Sequence, residues 1–437
     1  MLRKRIRIGG LILGLCLALS VHAQEQLTLN QFVENALKTN ESIQIALEAI
    51  NGAQARVEES KSLYYPQISL AASYTRLGPI QEFNIPFGGQ MMNLKFGLPN
   101  NYDFKLGAVE QIYNWGRTGN MIRMSKTNVD LARENVLQVK HVISYQLVPI
   151  FYGVVFTKDA LSVLDDHLNL FRRRLSITQE RYKAGLASDF DISLLQVQIS
   201  AIEEQKIELL SNINKAMLTY NRIAARKSDA TFNPAESLTY LPFNENKSDL
   251  LRDAFANREE LKITGYQENL THLQVELARA GNKPSVSAIL NYEYRNGVLP
   301  DLNKIRNTWS ATLSASYPLF DGFRTRAQVA QAQSASRTVE KQKTDLQLSI
   351  ELEINQGTED IQSLEQKIAI ESVKITHAER ALQIAEERFR NGVIPMTDMI
   401  DTQNALENAR LNRLQLVFNH VLARYNLYRA SGRKLIP

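Results

Sequence analysis

The 437-residue sequence contains one cysteine, Cys16, and it stands near the start. Whatever holds the rest of the chain is packing or assembly, because no disulfide can form there. Histidine is almost as scarce: His141, His167, His272, His377 and His420 are scattered, and none stands at HExxH or another metal-ligand spacing. No glycine-rich loop follows a strand as a phosphate site requires, and "NWGRTGN" (114–120) reads as a strand-to-helix turn. "RRR" (172–174) reads as a solvated helix face rather than a nucleic-acid patch. No enzyme, metal or cofactor signal remains, and the expectation is a non-enzyme with no nucleic-acid partner. Beyond residue 23 there is no run of 18 apolar residues, so no transmembrane helix is expected. A membrane β-barrel stays open, because its signal is weaker and must be sought strand by strand.

The first residues read as a secretory leader. "MLRKRIRI" is basic, "GGLILGLCLALS" is apolar, and Val21-His22-Ala23 ends in a small residue, which predicts a signal peptide over 1–23 cut before Gln24. Cys16 raises the alternative of lipidation, but Leu13 stands where a lipobox wants a small residue. Cleavage removes four basic residues, taking Lys and Arg from 51 to 47 against 46 acidic residues. The near-neutral remainder gives no electrostatic reason to bind nucleic acid.

What the sequence does have is a repeat. "RYKAGLASDFDISLLQ" (181–196) returns as "RFRNGVIPMTDMIDTQ" (388–403), an offset of 207. At that offset Tyr102 faces Trp309, Tyr113 faces Phe320 and Arg117 faces Arg324. Upstream the offset is 218, pairing Ala36 with Ala254, Glu41 with Glu259 and Pro66 with Pro284. The 11-residue surplus lies within 77–101, an expected outer loop carrying Phe83, Phe87 and Phe96. A unit this long is a duplicated domain half rather than a solenoid repeat. The expected organisation is a first repeat over 24–227, a linker or equatorial segment over 228–247, and a second repeat over 248–437.

Each repeat has the same order of parts: helix, strand, strand, helix, helix. Expected strands cover about 66–77, 102–114, 284–295 and 308–320, with alternation such as Ile68, Leu70, Ala72 and Tyr74 opposite Gln67, Ser69, Ala71 and Ser73. One apolar and one small-polar face suit a barrel wall, and equally a soluble sheet with one solvated face. Four strands cannot close a membrane barrel, so two or three chains are needed. The helical hairpins are expected at about 117–227, turning at 185, and about 324–431, turning at 392. Their first arms span about 68 residues, roughly 100 Å. The opening helix, about 27–63, and the return helix together match that length, so each repeat predicts two long rods that bury apolar faces side by side.

These parts resemble the TolC-like outer-membrane efflux proteins over nearly all of the chain after the leader. "LTLNQFVENALKTN" looks like the family's opening helix, "YYPQISLAASYTR" like its first barrel strand, and "PLFDGFRTRAQ" like its strand-to-helix junction. The paired glycine turns are the most specific mark. The resemblance implies a mainly α fold with a membrane β-barrel: a homotrimer with a 12-stranded barrel in outer-membrane lipid and an α-helical tunnel across the periplasm of a Gram-negative bacterium. It implies a passive exit duct of a tripartite efflux or type I secretion system. The implied partners are a periplasmic adaptor (membrane fusion) protein and an inner-membrane pump of RND, ABC or MFS type. The alternative is a periplasmic helical scaffold or adaptor whose strands form a soluble sheet. Asn40-Glu41 departs from the family, where Pro often follows, and Gln111 stands where the second copy has Pro318.

The candidate site is the pair of turns. Gly185 and Gly392 suit helix ends that need positive φ. Ser188 and Asp191 read as a capping box for the return helix. Leu186 and Val393 are the expected adaptor contacts, or else each closes its own hairpin. Asp398 and Asp401, three apart, share one helix face, and the resemblance of "TDMID" to the family's tip places such acids at the pore constriction. In relatives polar side chains near the second turn clasp the neighbouring hairpin, whereas this chain offers Phe389 and Ile394, which cannot hydrogen-bond through their side chains. Met396 and Met399 hint at soft-metal transport, though packing or pore roles are commoner for single methionines.

Overall fold

The computed structural model describes residues 26–95, 97–298 and 301–436. The expected leader, Cys16 and Phe96 fall outside them. The chain order is β1 (Gln26–Leu27), α1 (Leu29–Thr39), α2 (Glu41–Lys61), β2 (Gln67–Arg76), β3 (Glu82–Phe87), β4 (Gln90–Lys95), β5 (Asn100–Tyr113), α3 (Arg117–Lys183) and α4 (Asp189–Ile223). It continues with β6 (Asn233–Pro234), α5 (Lys247–Asn257), α6 (Glu259–Arg279), β7 (Ser285–Arg295), β8 (Arg306–Ser316), α7 (Arg324–Arg390) and α8 (Met396–Ala430). The long helices α3 and α7 have 67 residues each, about 100 Å of rod, and the return helices α4 and α8 have 35 each.

The expected single opening helix over 27–63 is two helices. Asn40 takes an extended backbone, and its Oδ1 accepts hydrogen bonds from the Ser42 and Ile43 amides at 2.9 and 3.3 Å, capping α2. Its side-chain Nδ2 donates to the Ile223 carbonyl at 2.8 Å, tying the break to the end of α4. Glu41 is then the first helical residue, the position where proline is also tolerated. Arg258 makes the equivalent break between α5 and α6, held by Glu260 and Glu353.

Where strand becomes helix, each repeat has two consecutive left-handed residues, Trp115-Gly116 and Gly322-Phe323. Glycine relieves one position of each pair. The aromatic residue at the other takes a conformation that disfavours bulky side chains.

The main core surrounds Phe32, which is fully buried, stacks on Tyr220 at 3.8 Å and meets Phe232 and Phe151 at 4.7 and 5.3 Å. The Tyr220 hydroxyl donates to the Phe32 carbonyl at 3.1 Å. The segment expected as a linker is folded onto the helices. Its β6 pairs in parallel with β1, and Glu236 accepts from the Leu29 amide at 2.9 Å and the Tyr152 hydroxyl at 2.8 Å. Burial first, then the Tyr425 hydroxyl and Glu236, push the Tyr152 hydroxyl far above the usual phenol range. Further along, the Phe243 amide donates to Glu365 at 2.8 Å. By length and composition one stretch of α3 is apolar enough to cross a membrane, but half of it is buried within the protomer.

Four strands form an antiparallel sheet in the order β2-β5-β7-β8. Ile68, Leu70, Tyr74, Tyr102, Phe104, Leu106, Leu290, Tyr292, Trp309 and Leu313 lie on one face by register. That face is bare: Leu70 is 79% and Trp309 78% exposed. The region 77–101, expected as a loop, contains the hairpin β3–β4, closed by a turn at Gly88-Gly89, both of positive φ. Phe83, Ile85, Phe87 and Met92 occupy one face of that hairpin, while Glu82, Asn84 and Asn93 join by hydrogen bonds on the other.

Phe32→Ala should destabilise the protein by about 3–5 kcal/mol, because a fully enclosed ring leaves a cavity that the stacked Tyr220 cannot fill. Denaturant unfolding of detergent-solubilised protein followed by tyrosine fluorescence measures it; a loss under 1 kcal/mol would contradict this packing.

Candidate functional site at the hairpin turns

Both long helices end in the same way. The Leu186 amide donates to the Arg181 carbonyl at 2.8 Å and the Gly185 amide to Tyr182 at 2.9 Å. In the second repeat Val393 donates to Arg388 at 2.9 Å and Gly392 to Phe389 at 3.0 Å. These are Schellman closures, which need a left-handed residue, and Gly185 and Gly392 supply it with φ of 72° and 71°.

Such a closure often covers the residue after the glycine by packing it on the last helical turn. Here it stays open: Leu186 is 68% and Val393 67% exposed. Tyr182 and Phe190, which the sequence reading did not single out, are exposed beside Leu186. The first tip therefore presents two rings and a leucine.

The return helices start differently. Ser188 and Asp191 form the expected capping box: the Asp191 amide donates to Ser188 Oγ at 3.2 Å, and the Ser188 amide and hydroxyl donate to Asp191 Oδ2 at 3.0 and 2.6 Å. In the second repeat Pro395 takes the cap position itself, not the first helical turn, and it has neither amide hydrogen nor hydroxyl to offer. Asp398, the counterpart of Asp191, has only a 3.4 Å contact from Thr397 Oγ1. Asp398 and Asp401 are exposed on α8, while Met399 and Ile400 between them are buried. One helix face thus carries two exposed carboxylates and the opposite face anchors the tip.

The two hairpins meet side by side at this end. Phe171 on α3, Leu195 on α4, and Met396, Met399 and Ile400 on α8 form one buried cluster with Phe389 packed against it. The two methionines are packing residues here. A cleft of about 350 Å³ between the hairpins is lined by Arg174, Thr178, Arg181, Glu386, Phe389 and Met399, among others. Arg174 is the residue missed. In the "RRR" run Arg172 and Arg173 are exposed, but the Arg174 side chain is only 13% exposed. It donates to Glu386 Oε1 at 2.7 Å and Gln403 Oε1 at 3.4 Å, joining α3 to α7 and α8. Its three-residue spacing from buried Phe171 was the available signal. Phe389 cannot clasp by hydrogen bond, but the Arg181 guanidinium lies 5.9 Å from its ring centroid.

One turn back from Phe171, His167 is buried against that ring at 4.8 Å, with its Nε2 making no hydrogen bond. Burial first, and the nearby Arg174 charge second, hold the imidazole down at about 4. The unfolded chain, with an ordinary histidine near 6.5, binds the proton more readily. Stability is therefore full above about 6.5 and is lost as pH falls towards about 4. His167→Phe should flatten the decline in melting temperature between pH 7 and pH 5; an unchanged slope would show that other groups carry the acid sensitivity.

The geometry has clear counterparts. The family described as "Outer membrane efflux protein" matches residues 32–224 and 250–433. The outer membrane protein TolC of Escherichia coli (strain K12) is 20% identical over 446 residues, covering 97% of this chain and 85% of that protein. The outer membrane efflux protein BepC of Brucella suis biovar 1 is 19% identical over 406 residues, covering 93% and 85%. The crystal structure of the outer membrane protein VceC from Vibrio cholerae superposes with a TM-score of 0.75 at 17% identity, covering 93% of this chain and 96% of that one. CusC, described in terms of transmembrane channel formation, gives 0.77 at 15% identity, covering 94% and 93%.

Proposed function

We propose, from the premise that the chain belongs to the outer membrane efflux protein family, that three copies close one continuous duct from the periplasm through the outer membrane. The protein is an outer-membrane efflux channel, and its family is one of transport proteins. The observation that carries the finer reading is the sheet. Its four strands have a bare apolar face and two unpaired edges, β2 and β8. A soluble scaffold would need another layer on that face, and the protomer supplies none among its described residues. Two copies would give eight strands, whose interior side chains fill; three give twelve and leave a passage.

At the other end, three copies present six turns around one axis. Leu186 and Val393, with Tyr182 and Phe190 beside them, form the docking surface for a periplasmic adaptor and its inner-membrane pump. Asp398 and Asp401 line the constriction as two stacked carboxylate rings. Charges about 8 Å apart in water repel by only about 0.5 kcal/mol before screening, so a wet ring is tolerable. The exposed carboxylate of Asp398 takes no part in a capping box, whereas its counterpart Asp191 does, which supports assigning the gate to the second turn and mainly docking to the first.

Outer-membrane detergent extracts should contain a heat-modifiable trimer that conducts in planar bilayers. Asp398→Ala with Asp401→Ala should reduce its cation preference and its block by multivalent cations. A soluble monomer would favour the scaffold, whereas a conducting trimer with unaltered selectivity would remove the acids from the gate. Leu186→Ser with Val393→Ser should abolish pump-dependent efflux in cells while the trimer still assembles. Efflux that survives both changes would move docking elsewhere.

A further inference from the structure

The face of the sheet opposite the apolar one is nearly neutral. Gln67, Ser69, Ser73, Gly107, Asn291, Ser310, Thr312 and Ser314 supply hydroxyls, amides and bare backbone. By strand alternation, the charged residues on this face among the described strand residues are five: Asp103, Lys105, Glu293, Arg295 and Arg306. They are confined to two adjacent rows at the end of the sheet away from the helices. In one row Asp103 stands opposite Arg295, and Arg295 opposite Arg306. In the next, Lys105 stands opposite Glu293.

The charges do not cancel. Glu293 serves two cations, with Lys105 Nζ at 3.5 Å and Arg295 Nε at 3.6 Å. Asp103 Oδ1 and Arg306 Nε are both buried and make no hydrogen bond. Three cations face two carboxylates, an excess of one positive charge per protomer. Structural ion pairing alone would need no third cation, and no other described strand residue on this face is charged.

We infer that these residues form a cationic belt inside the outer end of the barrel, which draws solutes bearing carboxylate or phosphate groups to the exit. The inference rests on the trimeric-duct reading, in which the apolar face meets lipid and this face lines the passage. Three copies then place three excess positive charges around the exit, opposite in sign to the acids proposed at the periplasmic end. A low-dielectric wall sustains such a field within roughly a Debye length of about 8 Å. Charge of one sign at each end makes the duct electrically asymmetric.

The test uses full-length protein inserted into planar bilayers from one side. Arg295→Gln with Arg306→Gln should lower the chloride-to-potassium permeability ratio about twofold, read from the reversal potential in a KCl gradient. Inorganic pyrophosphate should block the native channel from the barrel side more than from the hairpin side, and the double variant should lose that asymmetry. Arg295→Lys with Arg306→Lys keeps the charge and should behave as the native channel. Conducting trimers whose reversal potential and pyrophosphate block ignore the glutamine pair would overturn the belt. So would lysine variants that behave like the glutamine ones, because geometry rather than charge would then be responsible. If the native protein forms no channel at all, the duct reading itself fails and the belt falls with it.

Discussion

An antiparallel sheet with two open edges cannot stand in a membrane. Each unpaired amide and carbonyl on β2 and β8 would face hydrocarbon without a partner, at a cost of several kcal/mol apiece. Closure by further copies satisfies both edges at once and gives the bare apolar face a lipid environment. The rest of the architecture follows from that closure. The strands lead directly into α3 and α7 through paired left-handed residues, so a closed ring of strands continues as a ring of rods. The rods bury apolar side chains in three separate clusters, around Phe32, around Ile354 and at the tips, and leave others such as Val197, Ile207 and Leu348 exposed, so they too rely on neighbours.

Duplication supplies the ring with equal elements. The helix pairs α3 and α7, and α4 and α8, have identical lengths, and the same glycine closes each turn. Local chemistry then separates the halves. The first tip uses Ser188 and Asp191 to cap itself and exposes aromatic residues; the second replaces the cap with Pro395 and leaves its acids exposed. The first repeat adds the β3–β4 hairpin between its strands, and the described residues between β7 and β8 form none. Equal backbones with unequal side chains are what a channel needs if one set of turns docks and another constricts.

Between the sheet and the tips, polar anchors fix the chain at few points. Glu236, Glu365, Asn40 and Arg258 each bind a backbone group or a charge from a distant segment, holding the 228–247 region and the helix breaks against the rods. At the tip Arg174 and Arg181 do the same between hairpins through Glu386, Gln403 and Phe389. These anchors join segments far apart in sequence and so help set the register of one rod on another.

Sequence alone determined the duplicated order of elements, the four alternating strands and the glycine turns. Each of these depends on local rules: period two, period near 3.6, and a left-handed residue at a helix end. The paired offsets of 207 and 218 made them legible twice. Tertiary structure decided what depends on contacts between segments far apart. Asn40 breaks its helix because Ile223, 183 residues away, accepts its amide. Arg174 is buried rather than solvated because Glu386, 212 residues away, receives it. Leu186 and Val393 remain exposed because no other described part of the protomer covers the turns. The five charges of the exit belt, spread between residues 103 and 306, become one feature only when strand register sets them side by side.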